Sequence, residues 1–264
     1  MPRPATITSS ANPLVKDVRR AIQRGGLTPQ GWCVAETFHL LEEALRDAAV
    51  RQVLAAESAR DAVETHLGEH PGGPFAVLPD RLFRTVTATA TNQGVVALVD
   101  LPARPCFGLP ALIVVLDGLQ DPGNAGTIVR AAEAFGATGA FFLKGAASPY
   151  NPKTLRASAG SLFRVPFLHA VDPADARDAL DGNRIARFAA LPARPGSPAR
   201  PLSEIDLTGD CALVIGSEAH GVSPELASGA AGISIPTRGV ESLNAAVAAA
   251  ILLYEASRQR SVRR

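Results

Sequence analysis

The sequence predicts an α/β protein whose C-terminal part is a parallel sheet, preceded by a smaller α/β domain. Three observations favour this fold class. Short apolar runs alternate with helical segments, hydrophobic residues make up 47% of the 264 residues, and glycine or polar residues directly follow several of the apolar runs. Short strands separated by helices are typical of a parallel sheet that helices cover on both faces.

The first hundred residues contain the pattern of a small α/β unit. Apolar residues at helical spacing follow a turn-forming cluster at residues 8–13, and two glycines end this helix: Leu14, Val15, Val18 and Ile22, then Gly25 and Gly26. Further helices are expected at 38–45 and 60–67, and strands at 50–55, 75–78 and 95–99. Residues 101–105 contain two prolines and favour an extended linker. We therefore place the boundary at residue 105, which gives domains 1–105 and 106–264.

The C-terminal part has a regular alternation of strands and helices. The expected strands are 112–116, 140–143, 166–168, 185–189, 212–215 and 233–235, and the expected helices are 125–135, 173–180 and 243–258. Ligands of open parallel sheets bind at the carboxyl ends of the strands. The segments that follow these strands are therefore the first place to look for functional residues.

Charge and cysteine content restrict the function classes. The net charge of +1 does not mark a nucleic-acid binder, but basic residues cluster at 16–24 and 258–264, which is consistent with phosphate contacts and equally with a solvated basic surface. Cys33, Cys106 and Cys211 are too few and too far apart for a disulfide framework or a metal pattern, so we expect buried, reduced thiols. With no signal peptide and no apolar segment long enough for a bilayer, we expect a soluble, cytoplasmic protein without a metal or a membrane partner.

The first functional segment lies between the strand that ends at Leu116 and the helix expected from Ala125. Its glycines allow a tight turn or the close approach of a ligand, but it matches neither a dinucleotide fingerprint nor a P-loop. Asn124 lies near the helix start, where capping is its structural explanation. Arg130 lies inside the helix, on the same face as Thr127 and Ala134.

The second segment runs from Gly216 to Gly221 after the strand 212–215. It is not a nucleophile elbow, because the residue two positions after Ser217 is an alanine; this argues against an α/β hydrolase that would use Ser217 and His220. We interpret His220 as structural or exposed. Glu218 is expected either to hold the site's arginine or loops, or to cap a turn.

The third segment follows the strand that ends at Ile235 and leads into an alanine-rich helix. Ser242 is well placed to cap this helix. Asn244 is a poor helix former at an alanine-rich helix start, which favours a functional role. The small residues of the helix indicate close packing.

In order and content the three segments resemble the motifs of the SpoU (TrmH-type) family of RNA ribose 2′-O-methyltransferases over residues 111–260. The resemblance implies a C-terminal domain with a deep trefoil knot, S-adenosylmethionine as cofactor and a homodimer. It implies the catalytic residues Asn124, Arg130, Glu218, Ser242 and Asn244, and the cofactor-binding residues Gly216, Ile235 and Leu243. Whether Arg130 acts as a base or as an electrostatic stabiliser stays open, because an arginine is charged at ordinary pH.

The N-terminal domain resembles, more loosely, the substrate-binding domain of many SpoU enzymes. Because it spans about a hundred residues, as in the ribosomal-RNA members, we expect 23S rRNA as the substrate. Two alternatives remain at this point: the same chemistry on transfer RNA, and a catalytically idle RNA-binding or ribosome-assembly factor. The target nucleotide, and a housekeeping or antibiotic-resistance role, do not follow from the sequence.

Overall fold

The computed structural model describes residues 4–69, 74–89, 91–101, 103–104, 108–193 and 198–262. In these residues the strands are β1 Ala5–Thr6, β2 Trp32–Glu36, β3 Ala49–Ala56, β4 Phe75–Leu78, β5 Val95–Asp100, β6 Leu112–Asp117, β7 Gly139–Leu143, β8 Phe167–Val171, β9 Ala186–Ala190, β10 Arg200–Pro201, β11 Cys211–Gly216 and β12 Ala231–Ser234. The helices are α1 Pro13–Arg24, α2 Phe38–Asp47, α3 Arg60–Glu69, α4 Asp80–Phe83, α5 Pro122–Ala134, α6 Pro152–Ser158, α7 Ser161–Arg164, α8 Pro173–Gly182, α9 Pro224–Ala227 and α10 Ala245–Val262.

The chain divides into two compact units. The N-terminal unit comprises Met1–Pro102 and Pro149–Arg164, and the C-terminal unit comprises Ala103–Ser148 and Val165–Arg264. The sequence-based boundary at residue 105 falls on residues 105–107, which lie outside the described residues, and it did not anticipate that residues 149–164 pack with the N-terminal unit. The functional division at residue 105 stays a prediction.

The N-terminal unit is built on a five-stranded mixed sheet in the order β1-β4-β3-β5-β2. β4 pairs in parallel with β1 and β3, whereas β5 pairs antiparallel with β3 and β2. The first predicted helix, α1, begins where the Asn12 side chain accepts from the Leu14 amide at 2.9 Å, and it ends at Gly25 in the left-handed conformation.

Two arginines explain why residues 149–164 belong to the N-terminal unit. Arg156 of α6 pairs with the buried carboxylate of Glu36 at 3.1 Å, and Arg164 of α7 pairs with Glu43. Leu155, Leu162 and Phe163 bury their side chains. The structure thus assigns the guanidinium of Arg156 to an ion pair inside the N-terminal unit.

The C-terminal unit contains a seven-stranded parallel sheet in the order β10-β12-β9-β11-β6-β7-β8. The α/β class with a parallel C-terminal sheet is therefore confirmed. Leu112–Leu116 of β6 are buried, as the apolar run predicted, and Asp117, the last residue of the strand, is buried as well. The two-residue strand β10 lies at one edge and was not predicted, because its sequence, Arg200–Pro201, follows a turn-rich segment.

The sheet order brings the first two functional segments together. β6 and β11 are neighbours, and their last residues, Asp117 and Gly216, are paired in the register. Because both strands run in the same direction, the loops that follow them emerge at one edge of the sheet. Residues almost a hundred positions apart in sequence thus start from adjacent points.

Two further predictions can be compared with the structure. Cys33 and Cys211 are buried free thiols, and burial raises the pKa of the Cys33 thiol to about 12; Cys106 lies outside the described residues. Within the described ranges, none of the helices has both the length and the apolar character needed to cross a membrane.

Candidate active site

A chain of hydrogen bonds joins one residue from each of the three functional segments. The Asn124 Nδ2 group donates to Glu218 Oε1 at 3.1 Å, and Asn244 Nδ2 donates to Asn124 Oδ1 at 3.1 Å. The three residues were predicted separately from three parts of the sequence. The structure brings them into one network at the carboxyl edge of the sheet, within the C-terminal unit.

The two ends of this network set the orientation of both amides. The Glu218 carboxylate can only accept, so Asn124 must present its amino group to it and its carbonyl to Asn244. Asn244 must then donate to Asn124, which leaves its own carbonyl oxygen for the first turn of α10. That oxygen accepts from the amides of Ala246 at 2.9 Å and Val247 at 3.3 Å. A single assignment of the two amides is therefore consistent with all of these contacts.

Asn124 is not the cap of its helix. Asp121 caps α5 by accepting from the Asn124 amide at 2.7 Å. The Asn124 side chain is thereby released from the structural role that the sequence allowed for it. Its amino group instead donates to Glu218, and its carbonyl oxygen accepts from Asn244.

Asn244, and not Ser242, caps α10. The expectation that Ser242 caps this helix is wrong, because α10 begins at Ala245 and the Asn244 carbonyl oxygen bonds the first free amides. Capping also accounts for an asparagine at an alanine-rich helix start, for which the sequence argument had favoured a functional role. Ser242 is exposed and is left free for another role.

Glu218 lies at the tip of a tight turn that follows β11. Ser217 and Gly221 exchange backbone hydrogen bonds of 3.1 Å and 2.9 Å across this turn. A Cβ atom on Gly216 would lie 2.2 Å from the Gly221 carbonyl carbon, so only glycine permits the turn to close against the strand end. The turn thus holds the exposed Glu218 carboxylate toward α5.

Two acidic residues that position this network were not assigned a role from sequence. One is Asp121, the cap of α5. The other is Asp117, which is buried at the end of β6 and accepts from the Ser223 amide at 2.6 Å. It thereby holds the far end of residues 217–223, which we call the motif-two loop. Asp121 could have been found from its place before Pro122–Gly123, a helix-start signal. Asp117 depends on a partner more than a hundred residues away.

A cavity of about 400 Å³ opens beside the network. The predicted cofactor residues Gly216, Ile235 and Leu243 all line it, together with the catalytic candidates Glu218 and Ser242. Small-molecule sites have volumes of about 300–1,000 Å³ and combine apolar walls with a few polar groups. The cavity therefore has the size and the lining of a site for one nucleoside-sized ligand.

Among the described residues, the structure records no side-chain hydrogen bond or ion pair for two of the predicted catalytic residues, Arg130 and Ser242. Arg130 is exposed on α5 beside Thr127 and Ala134, as the helical spacing predicted. Glu218, one of whose expected roles was to hold this arginine, bonds Asn124 instead. His220 is also exposed, and its backbone amide donates to Ser217 Oγ at 3.0 Å.

Comparisons with known proteins agree with this arrangement. The SpoU rRNA Methylase family profile matches residues 111–254. RlmP of Bacillus subtilis, a 23S rRNA (guanosine(2553)-2′-O)-methyltransferase, is 31% identical over 94% of this chain and 97% of its own length. A 23S rRNA (uridine(2479)-2′-O)-methyltransferase of Streptomyces viridochromogenes is 35% identical over 70% of this chain and 67% of its own length.

Solved structures superpose on nearly the whole chain. The AdoMet-bound rRNA methyltransferase from Sinorhizobium meliloti has a TM-score of 0.79 at 29% identity and covers 96% of this chain and 97% of its own. These neighbours confirm the predicted fold class, which includes the trefoil knot. From its sequence profile and its relatives, the chain belongs to the SpoU rRNA methylase family.

Proposed function

We propose that this protein is an S-adenosylmethionine-dependent RNA ribose 2′-O-methyltransferase whose substrate is 23S ribosomal RNA. The observation that carries the proposal is the hydrogen-bonded chain Glu218–Asn124–Asn244 beside a cavity of nucleoside size. Membership of the SpoU family and the names of the relatives support both the reaction and the class of RNA. The reaction belongs in the cytoplasm, where ribosomal RNA is made in bacteria such as those that contain these relatives.

Gly216, Ile235 and Leu243 would hold the cofactor. Isoleucine and leucine give apolar contact for an adenine ring, and the absence of a side chain at Gly216 lets the strand end approach the ligand. S-adenosylmethionine, when bound, supplies an electrophilic methyl group. The neighbour bound to AdoMet and the lining of the cavity both support this assignment.

The polar residues next to the cavity would orient the ribose. In our proposal Ser242 and the Asn124–Asn244 pair align the 2′-hydroxyl for in-line attack, and Glu218 holds Asn124 in the required orientation. Much of the rate would come from this alignment, because a well-oriented approach can supply about 7–11 kcal/mol of the barrier. The protein residues therefore act mainly by positioning.

Arg130 would contribute its positive charge. A guanidinium is charged at ordinary pH and is a poor base, so stabilisation of the developing 2′-oxyanion or of an RNA phosphate suits it better than proton removal. Its exposure on α5, without an internal carboxylate partner among the described residues, leaves that charge available to a bound substrate. We propose that Arg130 is essential for this reason.

We further propose that residues 1–105 form the substrate-binding domain that selects the RNA. The relatives at 31% and 35% identity are named for different nucleotides, a guanosine and a uridine. Methyl transfer to a ribose needs no contact with a base edge, so the target is better set by residues away from the cavity.

The enzyme is proposed to work as a homodimer through the exposed face of α10. Val247 and Tyr254, two turns apart on this helix, expose about half of their surface (50% and 54%). Ile251 lies between them on the same face and is partly exposed. An apolar helix face of this kind marks an interaction site, and an obligate dimer would bury roughly 2,000 Å² or more.

Light scattering tests the proposed dimer. The wild-type protein should be a dimer, and the Tyr254→Arg variant should be a monomer. A monomeric wild-type protein would contradict this part of the proposal.

One assay tests the reaction and the RNA class together. Tritiated methyl transfer from S-adenosylmethionine is measured on unmodified 23S, 16S and transfer-RNA transcripts, followed by alkaline digestion. An alkali-resistant labelled dinucleotide from 23S rRNA alone is expected. Label in transfer RNA alone would show that the substrate is transfer RNA and not 23S rRNA. No label, together with no cofactor binding in calorimetry, would favour a catalytically idle RNA-binding factor.

A further inference from the structure

The two faces of α1 have opposite character. Val15, Val18 and Ala21 are buried in the core of the N-terminal unit. Lys16, Arg20 and Arg24 are exposed and lie four residues apart, so they form one row along the outer face of the helix. The rise of the helix places neighbouring charges about 6 Å apart and the outer two about 12 Å apart. We call this row the α1 basic row.

The charges of the α1 basic row are poorly compensated. Among the described residues the side chains of Lys16 and Arg24 make no hydrogen bond or ion pair. Arg20 lies 3.9 Å from Asp17, at the long limit of an ion pair, and Gln30 also donates to that carboxylate at 3.3 Å. The row therefore keeps most of its positive charge for an external partner.

Three other exposed arginines of the same unit are paired with carboxylates. Arg46 lies 3.2 Å from Glu43, Arg51 lies 2.7 Å from Asp100, and Arg60 lies 2.9 Å from Glu64. Each of these side chains is about half exposed. The surface of the N-terminal unit thus contains cations that are paired with carboxylates and cations that are not. The α1 basic row belongs to the second group.

The positive surface continues beyond the helix. Arg19 of α1 is partly exposed, and its Nε donates to Thr85 Oγ1 at 3.0 Å and to the Thr85 carbonyl at 3.3 Å. This contact ties α1 to the turn at 84–86, and Arg84 in that turn is exposed. The acidic group near Arg84 is Asp80, whose pKa is lowered mainly by its hydrogen bonds with Ser58 and to a smaller extent by Arg84.

We infer that the α1 basic row is a docking surface for the phosphate backbone of the RNA substrate. Uncompensated cations on a rigid helix suit phosphates, because each contact releases condensed counterions. A row on a single helix face makes contacts with the backbone, and such contacts position an RNA without reading its sequence. The inference rests on the proposed function, since it names the surface through which the N-terminal domain would hold its RNA.

The test compares two triple variants of the full chain with equal changes in charge. Lys16→Ala/Arg20→Ala/Arg24→Ala removes the α1 basic row, and Arg46→Ala/Arg51→Ala/Arg60→Ala removes three paired cations from the same unit. Binding of a 23S rRNA transcript is measured at several salt concentrations for both variants and for the wild type. Calorimetry with S-adenosylmethionine and thermal denaturation show that each variant is folded.

We expect the row variant to bind the transcript about 10- to 100-fold more weakly than the wild type. The plot of log binding constant against log salt concentration should also be less steep for this variant, by about 2–3 in the magnitude of its slope. The control variant should bind like the wild type, and both should bind the cofactor unchanged. Equal weakening in the two variants would overturn the inference, because bulk charge would then explain the loss. Unchanged binding by the row variant would overturn it as well.

The outcome is separable from that of the proposed function. In one case the wild-type protein binds the transcript but methylates no RNA, and only the row variant loses transcript binding. That result would contradict the proposed reaction and support the docking surface. Alternatively, the wild-type protein methylates 23S rRNA, and the row variant has the same RNA affinity and the same KM for RNA. That result would support the proposed reaction and contradict the α1 basic row as a docking surface.

Discussion

Asn244 has two roles in the structure that a pair of substitutions can separate. Its carbonyl oxygen caps α10 at 2.9 Å from the Ala246 amide, and its amino group donates to Asn124 at 3.1 Å. Serine caps helices about as well as asparagine, but its short side chain cannot also donate to Asn124. Alanine can do neither. Asn244→Ser therefore removes the link to Asn124 alone, whereas Asn244→Ala removes the link and the cap.

The magnitudes follow from the two contacts. Loss of the cap in Asn244→Ala should cost about 1 kcal/mol of the free energy of unfolding, which corresponds to a fall in Tm of about 2–4 °C for a chain of this size. Asn244→Ser should keep its Tm within about 1 °C by the same reasoning. Both variants should lose about 100-fold in kcat, since a small misplacement of reacting groups has effects of that order.

The assays are thermal denaturation and tritiated methyl transfer to a 23S rRNA transcript, with cofactor affinity measured by calorimetry. A wild-type kcat for Asn244→Ser would refute the reasoning, because the asparagine would then serve only as a cap. An equal fall in Tm for the two variants would show that the cap assignment is wrong.

Three further predictions concern separate parts of the C-terminal unit. Arg130→Ala should abolish methyl transfer while the cofactor affinity, measured by calorimetry, stays within a few-fold; lost binding in a folded variant would contradict its role as a charge for the substrate. Asp117→Ala should weaken cofactor binding by about tenfold, because the motif-two loop loses a hydrogen bond to a charged group, and Asp117→Asn, which can still accept, should bind like the wild type. The hydrogen bond from Arg258 is the largest cause that lowers the pKa of Glu255 from 4.5 to about 2. Since the folded pKa is depressed, the stabilisation is complete above about pH 4.5 and is lost as the pH falls toward 2; Glu255→Gln should lose less Tm over that range than the wild type does.

Much of the fold could be predicted from local patterns. The strand β6 was predicted because its residues 112–116 form an apolar run, and α1 because capping and turn residues mark both of its ends. The edge strand β10 has no such run, since its pairing with β12 depends on the sheet and not on its own two residues. The residues of a segment indicate which secondary structure it can form, but they do not indicate which other strand it pairs with.

For the candidate site, too, single residues could be predicted from the sequence but their contacts could not. Asn124, Glu218 and Asn244 could be selected individually, because each polar residue follows a strand or begins a helix. Their mutual hydrogen bonds could not be predicted, since they require β6 and β11 to be neighbours across almost a hundred residues. The cap of α10 was misassigned to Ser242 for a local reason, because the helix was expected to begin at residue 243 and begins at Ala245.

The membership of residues 149–164 in the N-terminal unit has a consequence for synthesis on the ribosome. When residue 102 has been made, the unit still lacks α6 and α7, and it must wait until residue 164 is complete. At about 5–20 residues per second this interval is about 3–12 s. During that time Glu36, which is 2% exposed in the finished protein, has no Arg156. The N-terminal unit thus cannot be completed until part of the C-terminal unit, Ala103–Ser148, has also been made, and any transplant of it into a relative has to include residues 149–164.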